Sequence, residues 1–187
     1  MIVVKLGGSH ALSPLLPGWL AAIGRAAGRV VVVPGGGPFA DAVRAAQPAM
    51  GFDDDAAHDM ALMAMAQYGR ALSSLAGFVY ADAMDAVRGA AARGLVPVWS
   101  PWPMLRAHPD IPRSWDVTSD SLAVWLATAL AARDLVLIKH CDPARGDAVD
   151  AAFAGFASRF GGFVRLAGPD DLGAADALFG APAVAAA

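Results

Sequence analysis

Four consecutive valines, Val30 to Val33, run without a break into Pro34-Gly35-Gly36-Gly37-Pro38. A β-branched run with no polar alternation fits a strand buried on both faces, the condition of a parallel sheet. The glycine loop behind it opens a segment of helical spacing at about residues 39–46. The same order recurs at the N-terminus, where Ile2-Val3-Val4 meets Lys5-Leu6-Gly7-Gly8-Ser9. Strand, loop and helix in alternation predict α/β architecture with right-handed crossovers. Ligands of such sheets bind outside the carboxyl ends of strands, which is where both loops fall. Two anion-binding loops lining one crevice suit phosphoryl transfer between a nucleotide and an acceptor.

The remaining pattern fills in the fold. Helices are expected over 14–27 (Ser13 as cap, Pro14 in the first turn), 54–75, 82–93, 119–132, 147–160 and 170–178. Strands are expected over 79–80, 95–99, 134–138 and 163–166, with Pro97 marking an edge or a strand end. Residues 100–114 hold Pro101, Pro103, Pro109 and Pro112 and read as a long, stiff loop. Met60, Met63 and Met65 on the long helix read as core or as the contact of a homodimer. Residues 1–180 form one expected domain, with an acceptor half to about 115 and a nucleotide half from about 116. Residues 181–187 are a low-complexity tail expected to fray.

Composition narrows the function. The chain has 187 residues, 57% of them hydrophobic, yet no apolar run reaches the roughly 18 residues of a membrane span. Met1 enters a strand almost directly, leaving no room for a signal peptide, and the single Cys141 fits a reducing compartment. A cytoplasmic protein is expected. A net charge of -3 leaves no basic footprint for nucleic acid. His10, His108, His140 and Cys141 lack metal-ligand spacing, so no metal site is expected. Of 14 basic side chains only Lys5 and Lys139 are lysines, and each directly follows a predicted strand. A lysine kept among arginines suits a site needing a compact point charge.

Other glycine motifs compete. No G-x-x-x-x-G-K-[ST] occurs. Gly35 to Ala40 fits G-x-G-x-x-A, with Asp53 to Asp55 near the spacing of a ribose-binding acid, so a dinucleotide-binding protein is an alternative. Against it, those aspartates open a helix, and Lys5 with its glycine pair goes unexplained.

Three ordered segments carry a resemblance: Val4-Lys5-Leu6-Gly7-Gly8-Ser9, Val32-Val33-Pro34-Gly35-Gly36-Gly37, and Thr118-Ser119-Asp120-Ser121-Leu122-Ala123. In these the chain resembles the amino acid kinase superfamily over roughly residues 1–138. Pro34 to Ala40, His58 and Ser114 to Leu122 are most similar to its branch that phosphorylates a furan phosphomonoester for methanofuran-type cofactors. The resemblance implies a three-layer α/β/α sandwich with a mainly parallel central sheet, and an enzyme using ATP and Mg2+ on a small phosphorylated substrate. Lys5 would neutralise the transferring phosphoryl group, with Asp120 holding it in place. Gly7, Gly8 and Ser9 would bind the donor phosphates, joined by Ser119 and Lys139. Gly35, Gly36 and Gly37 would cradle the acceptor, with His58 and Trp115 as further contacts. By residue type alone, His58 also fits a core histidine and Trp115 simple packing.

The last third departs from that pattern. Where such kinases carry a Thr-Asp-x-x-Gly-hydrophobic-Tyr nucleotide segment, residues 139–146 read KHCDPARG. The nucleotide half is therefore expected to be shortened. The later family lysine is missing, and Lys139 or Arg159 is expected to replace it. Two functions stay open: a kinase with a pared-down nucleotide site, or a non-catalytic relative binding a phosphorylated metabolite or a partner enzyme.

Overall fold

The structure, a computed structural model, describes residues 1–142 and 148–180. Six strands form one sheet in the order β3-β4-β2-β1-β5-β6: β1 (Ile2–Leu6), β2 (Val30–Pro34), β3 (Val79–Ala81), β4 (Pro97–Trp99), β5 (Asp134–Ile138) and β6 (Phe163–Ala167). Every pairing is parallel, and β1 sits between β2 and β5. Around it are α1 (Leu16–Arg25), α2 (Gly37–Met50), α3 (Asp54–Ala76), α4 (Met84–Ala92), α5 (Trp102–Leu105), α6 (Ser119–Ala129), α7 (Phe153–Ala157) and α8 (Ala175–Leu178).

The sheet has two packed faces, as the unbroken valine run predicts. Ile2, Val4, Leu6, Val30 and Val32 meet Trp19 and Ile23 of α1 and Phe179 beyond α8. Val3, Val31, Val33, Leu135 and Leu137 meet Val87 of α4 and Leu122 and Leu126 of α6. This is a three-layer α/β/α sandwich. The period-two alternation of a strand turns Lys5 toward the α6 side, level with Val33 and Leu137. The chain leaves β1 toward β2 on one side and later returns to β5 on the other. That reversal makes the carboxyl end of β1 a topological switch point, the usual place for a ligand crevice.

Several local expectations are corrected. Lys5 lies inside β1, not after Val4. The first helix begins at Leu16, after a turn in which the Leu15 N–H donates to Ser13 Oγ at 3.2 Å. α2 runs to Met50 and carries Pro48 near its C-terminal end. Of the two readings of Pro97 the strand end holds: β4 is interior, and Pro97 is its first residue, where a missing N–H is tolerated. The proline-rich stretch contains the short α5. Of the helix expected over 147–160, only α7 forms, and its expected start at Asp147 lies outside the described residues. Residues 170–178 divide into a 3-10 turn, Pro169–Ala174, and α8. The frayed tail expected over 181–187 also lies outside the described residues.

Candidate active site

The two glycine loops interlock before they bind anything. The Gly35 N–H donates to Leu6 O at 2.9 Å, which sets the second loop beside the first. A Cβ on Gly35 would overlap the backbone of Gly8, and a Cβ on Gly8 would overlap the backbone of Gly37. Only glycine lets two main chains approach so closely. Gly35 therefore serves the loop contact, while Gly36 and Gly37 border the first of the chambers described below. Gly7 is corrected too: its N–H, expected at a phosphate, donates to Ile138 O at 3.1 Å and extends the ladder to β5.

Two chambers open at the carboxyl ends of the strands. The first, about 270 Å³, is bordered by Gly8, Ser9, Gly36 and Gly37 at one end and by Arg44, His58 and Trp115 elsewhere, with Leu62, Met65 and Val117 as apolar wall. The second, about 290 Å³, is lined by Lys5, Gly7, Asp120, Lys139, His140 and Asp150 among others. Ser9 and Thr118 border both, so the chambers meet there. Gly8 and Ser119, expected at the donor phosphates, line the first chamber.

At the floor of the second chamber Asp120 binds both lysines of the chain. Lys5 Nζ lies 2.9 Å from Asp120 Oδ1, and Lys139 Nζ lies 2.8 Å and 2.7 Å from the two carboxylate oxygens. All three side chains are more than nine-tenths buried. The geometry follows from the fold: Lys5 lies near the carboxyl end of β1, Lys139 follows β5, and Asp120 sits in the first turn of α6. Burial works against the Asp120 charge, but the two lysines outweigh it and hold the carboxyl below its ordinary 3.8. Burial also pushes the Lys139 ammonium below 10.5, and the Lys5 charge adds to the fall, since two cations share one anion. The centre carries a net positive charge, which suits phosphate oxygens.

The first chamber has a built wall. Arg44 stacks over the Trp115 ring at 4.3 Å, and Trp115 Nε1 donates to Gln47 Oε1 at 2.7 Å. Arg44 stands two helical turns after Gly37, which brings it to the same mouth. Arg113 fixes the proline-rich stretch to α3 through Asp55 at 3.0 Å and Asp59 at 2.9 Å. His58 borders the chamber with its Nε2 buried and without a hydrogen-bond partner. Burial, helped by the Arg113 charge, lowers its pKa from 6.5, so the ring is neutral at pH 7.

Arg159 lines a groove with Asp110 and Pro112, away from both chambers, so of the two replacements considered for the family lysine only Lys139 reaches Asp120. Sequence reasoning passed over Arg44 and Asp150. The i, i+7 spacing from Gly37 could have found Arg44; nothing in the sequence marks Asp150. Asp53, the first of the aspartates at the ribose-binding spacing of the competing dinucleotide motif, caps α3 by accepting from the Ala56 N–H at 2.8 Å. That is a helix-capping task, away from any strand end.

Comparison with known proteins bears on the family and the fold. The model of the Amino acid kinase family matches residues 1–143. The [5-(aminomethyl)furan-3-yl]methyl phosphate kinase of Methanocaldococcus jannaschii is 26% identical over 145 residues, 76% of this chain and 67% of that protein. Among solved structures, uridylate kinase from Archaeoglobus fulgidus superposes with a TM-score of 0.68 at 19% identity, covering 93% of this chain and 94% of that one. UMP kinase from Ureaplasma parvum gives 0.70 at 14% identity, covering 97% and 95%. With the match spanning both glycine loops, Asp120 and Lys139, the chain belongs to the amino acid kinase family of phosphotransferases.

Proposed function

We propose that this protein is an ATP-dependent small-molecule kinase that transfers the γ-phosphoryl group to a phosphomonoester. The observation that carries this reading is the Lys5–Asp120–Lys139 centre at the junction of two chambers. The acceptor phosphate lies against Gly8, Gly36 and Gly37, and the donor phosphates lie on the lysine side. An acceptor phosphate oxygen attacks the γ-phosphorus. The bond from that phosphorus to the β–γ bridging oxygen breaks, and ADP leaves with the electron pair. The acceptor oxygen is already anionic, so no strong general base is required. Lys5 and Lys139 neutralise charge on the transferring group and the leaving diphosphate, and Asp120 keeps both in place.

Among the described residues no group of three or more His, Cys, Asp or Glu side chains could hold a metal ion. A Mg2+ entering with the nucleotide fits this site as a phosphate-bound ion, since it keeps most of its waters and needs no protein cage.

The favoured acceptor is [5-(aminomethyl)furan-3-yl]methyl phosphate or a close analogue, because the M. jannaschii relative is named for that substrate. The Trp115 wall, the unpartnered His58 Nε2 and the apolar residues Leu62 and Met65 suit a small ring with one polar end. Incubation with ATP, Mg2+ and this ester, followed by 31P NMR, should show paired diphosphate-ester doublets growing with ADP. Binding of the ester with no ADP formed would instead establish the non-catalytic reading.

The same reading makes the protein a homodimer in the cytoplasm, paired through the α2–α3 face that exposes Phe39 and Met63. A monomer mass by light scattering would remove that assignment. No helix among the described residues is long and apolar enough to cross a membrane.

A further inference from the structure

Asp150 stands just outside the lysine–carboxylate centre and has no part in the transfer described above. Its carboxylate accepts from the Thr118 N–H at 2.9 Å, the Thr118 hydroxyl at 2.8 Å and the Ser121 N–H at 3.0 Å, and it also accepts from the Ser121 hydroxyl. Thr118 is the N-cap residue of α6, but its side chain makes no bond to its own helix. The cap is supplied instead by a residue 32 positions away. A carboxylate at a helix N-terminus is favoured by both the orphan N–H groups and the helix dipole. The stitching continues beyond it: the Ala152 N–H donates to Asp116 O at 3.0 Å, and the Phe153 N–H to Asp150 O at 3.1 Å.

The first turn of α6 therefore sends its side chains in three directions. Thr118 and Ser121 go to Asp150, Ser119 faces the first chamber, and Asp120 holds the lysines. Anchors on both sides of Asp120 leave its carboxylate little room to move. Asp150 also lines the second chamber, so one side chain joins that chamber's wall to the centre.

We infer that Asp150 is a positioning residue: by gripping Thr118 and Ser121 it fixes the first turn of α6, so that Asp120 holds Lys5 and Lys139 where the two chambers meet. Its kinetic consequence rests on the kinase reading, whereas its structural consequence does not.

Having two lysines makes the test direct. The full chain labelled with ε-13C lysine gives two side-chain signals. Asp150→Ala should displace or broaden both. Asp150→Asn, which keeps one acceptor oxygen, and Ser121→Ala, which removes one of the four bonds, should do so less. Under turnover Asp150→Ala should lower kcat about 10- to 100-fold, as misplacement of reacting groups does. Its acceptor KM should change less than kcat does, because most of the first chamber's wall comes from the second glycine loop, α2 and α3. A folded Asp150→Ala chain with both lysine signals at their wild-type positions overturns the inference and leaves Asp150 as a helix cap alone. If that variant does not fold, unmoved signals in Asp150→Asn and Ser121→Ala overturn it equally. Displaced signals with unchanged kcat contradict the link to catalysis. Absence of turnover in the wild-type chain counts against the kinase reading, and the lysine signals still decide the inference.

Discussion

At the scale of single residues, the centre is asymmetric and its variants should behave differently. Lys5→Ala leaves Asp120 paired with Lys139, so no buried charge is stranded. It should lower kcat by about 10²-fold or more, the scale of losing one preorganised electrostatic contact, while unfolding stability changes little. Asp120→Ala leaves two buried ammonium groups with no anion between them. It should destabilise by about 3–5 kcal/mol in urea unfolding. Equal losses of stability in the two variants would contradict this picture. A second residue-scale prediction concerns acid. Burial lowers the pKa of both His10 and His58 from 6.5. Below pH 6.5 the unfolded chain takes up protons that the folded chain refuses, so stability rises with pH there and falls on acidification. Each histidine contributes up to about 1.4 kcal/mol per pH unit between 6.5 and its folded pKa. His10→Leu should flatten the acid limb of a melting-temperature profile, and an unchanged slope would show that His10 is not held neutral. Asp120 acts lower: its stabilising charge is complete above 3.8 and is lost as pH falls through its depressed folded pKa.

At the scale of elements, the two glycine loops act as one unit because Gly8 and Gly35 touch through their backbones. Gly35→Ala places a methyl group against the Gly8 main chain, which has no flexible side chain to yield. It should cost about 1–3 kcal/mol by overpacking and raise the acceptor KM, and a neutral effect on both would contradict the interlock. This scale also shows what could be read in advance. The valine run, both loops and the long α3 were legible because each signal is local: β-branched continuity, glycine clustering and apolar period. Lys5 and Lys139 stand out as the only lysines, each beside a strand legible from its apolar run. The role of Gly35, the engaged Gly7 N–H and the reach of Asp150 were not legible, since each depends on a partner distant in sequence. Short elements also escaped. The four-residue α5 hides among prolines, and α7 is too brief to show a helical period.

At the scale of the whole molecule, a parallel sheet packed on both faces sets the carboxyl end of β1 between the loops that follow β2 and β5. Every group assigned to transfer comes from those ends or from the helices that begin there: Lys5 from β1, Lys139 after β5, and Asp120 from α6. The chamber above this centre is the proposed nucleotide site, although residues 139–146 depart from the family pattern. Calorimetric titration of the full-length chain with ATP–Mg2+ tests it most directly. Saturable binding with a Kd at or below about 1 mM, in the range of ordinary enzyme substrates, and its loss in Lys139→Ala are the predicted results. No binding heat at millimolar ATP, with phosphomonoester binding retained, would contradict the account.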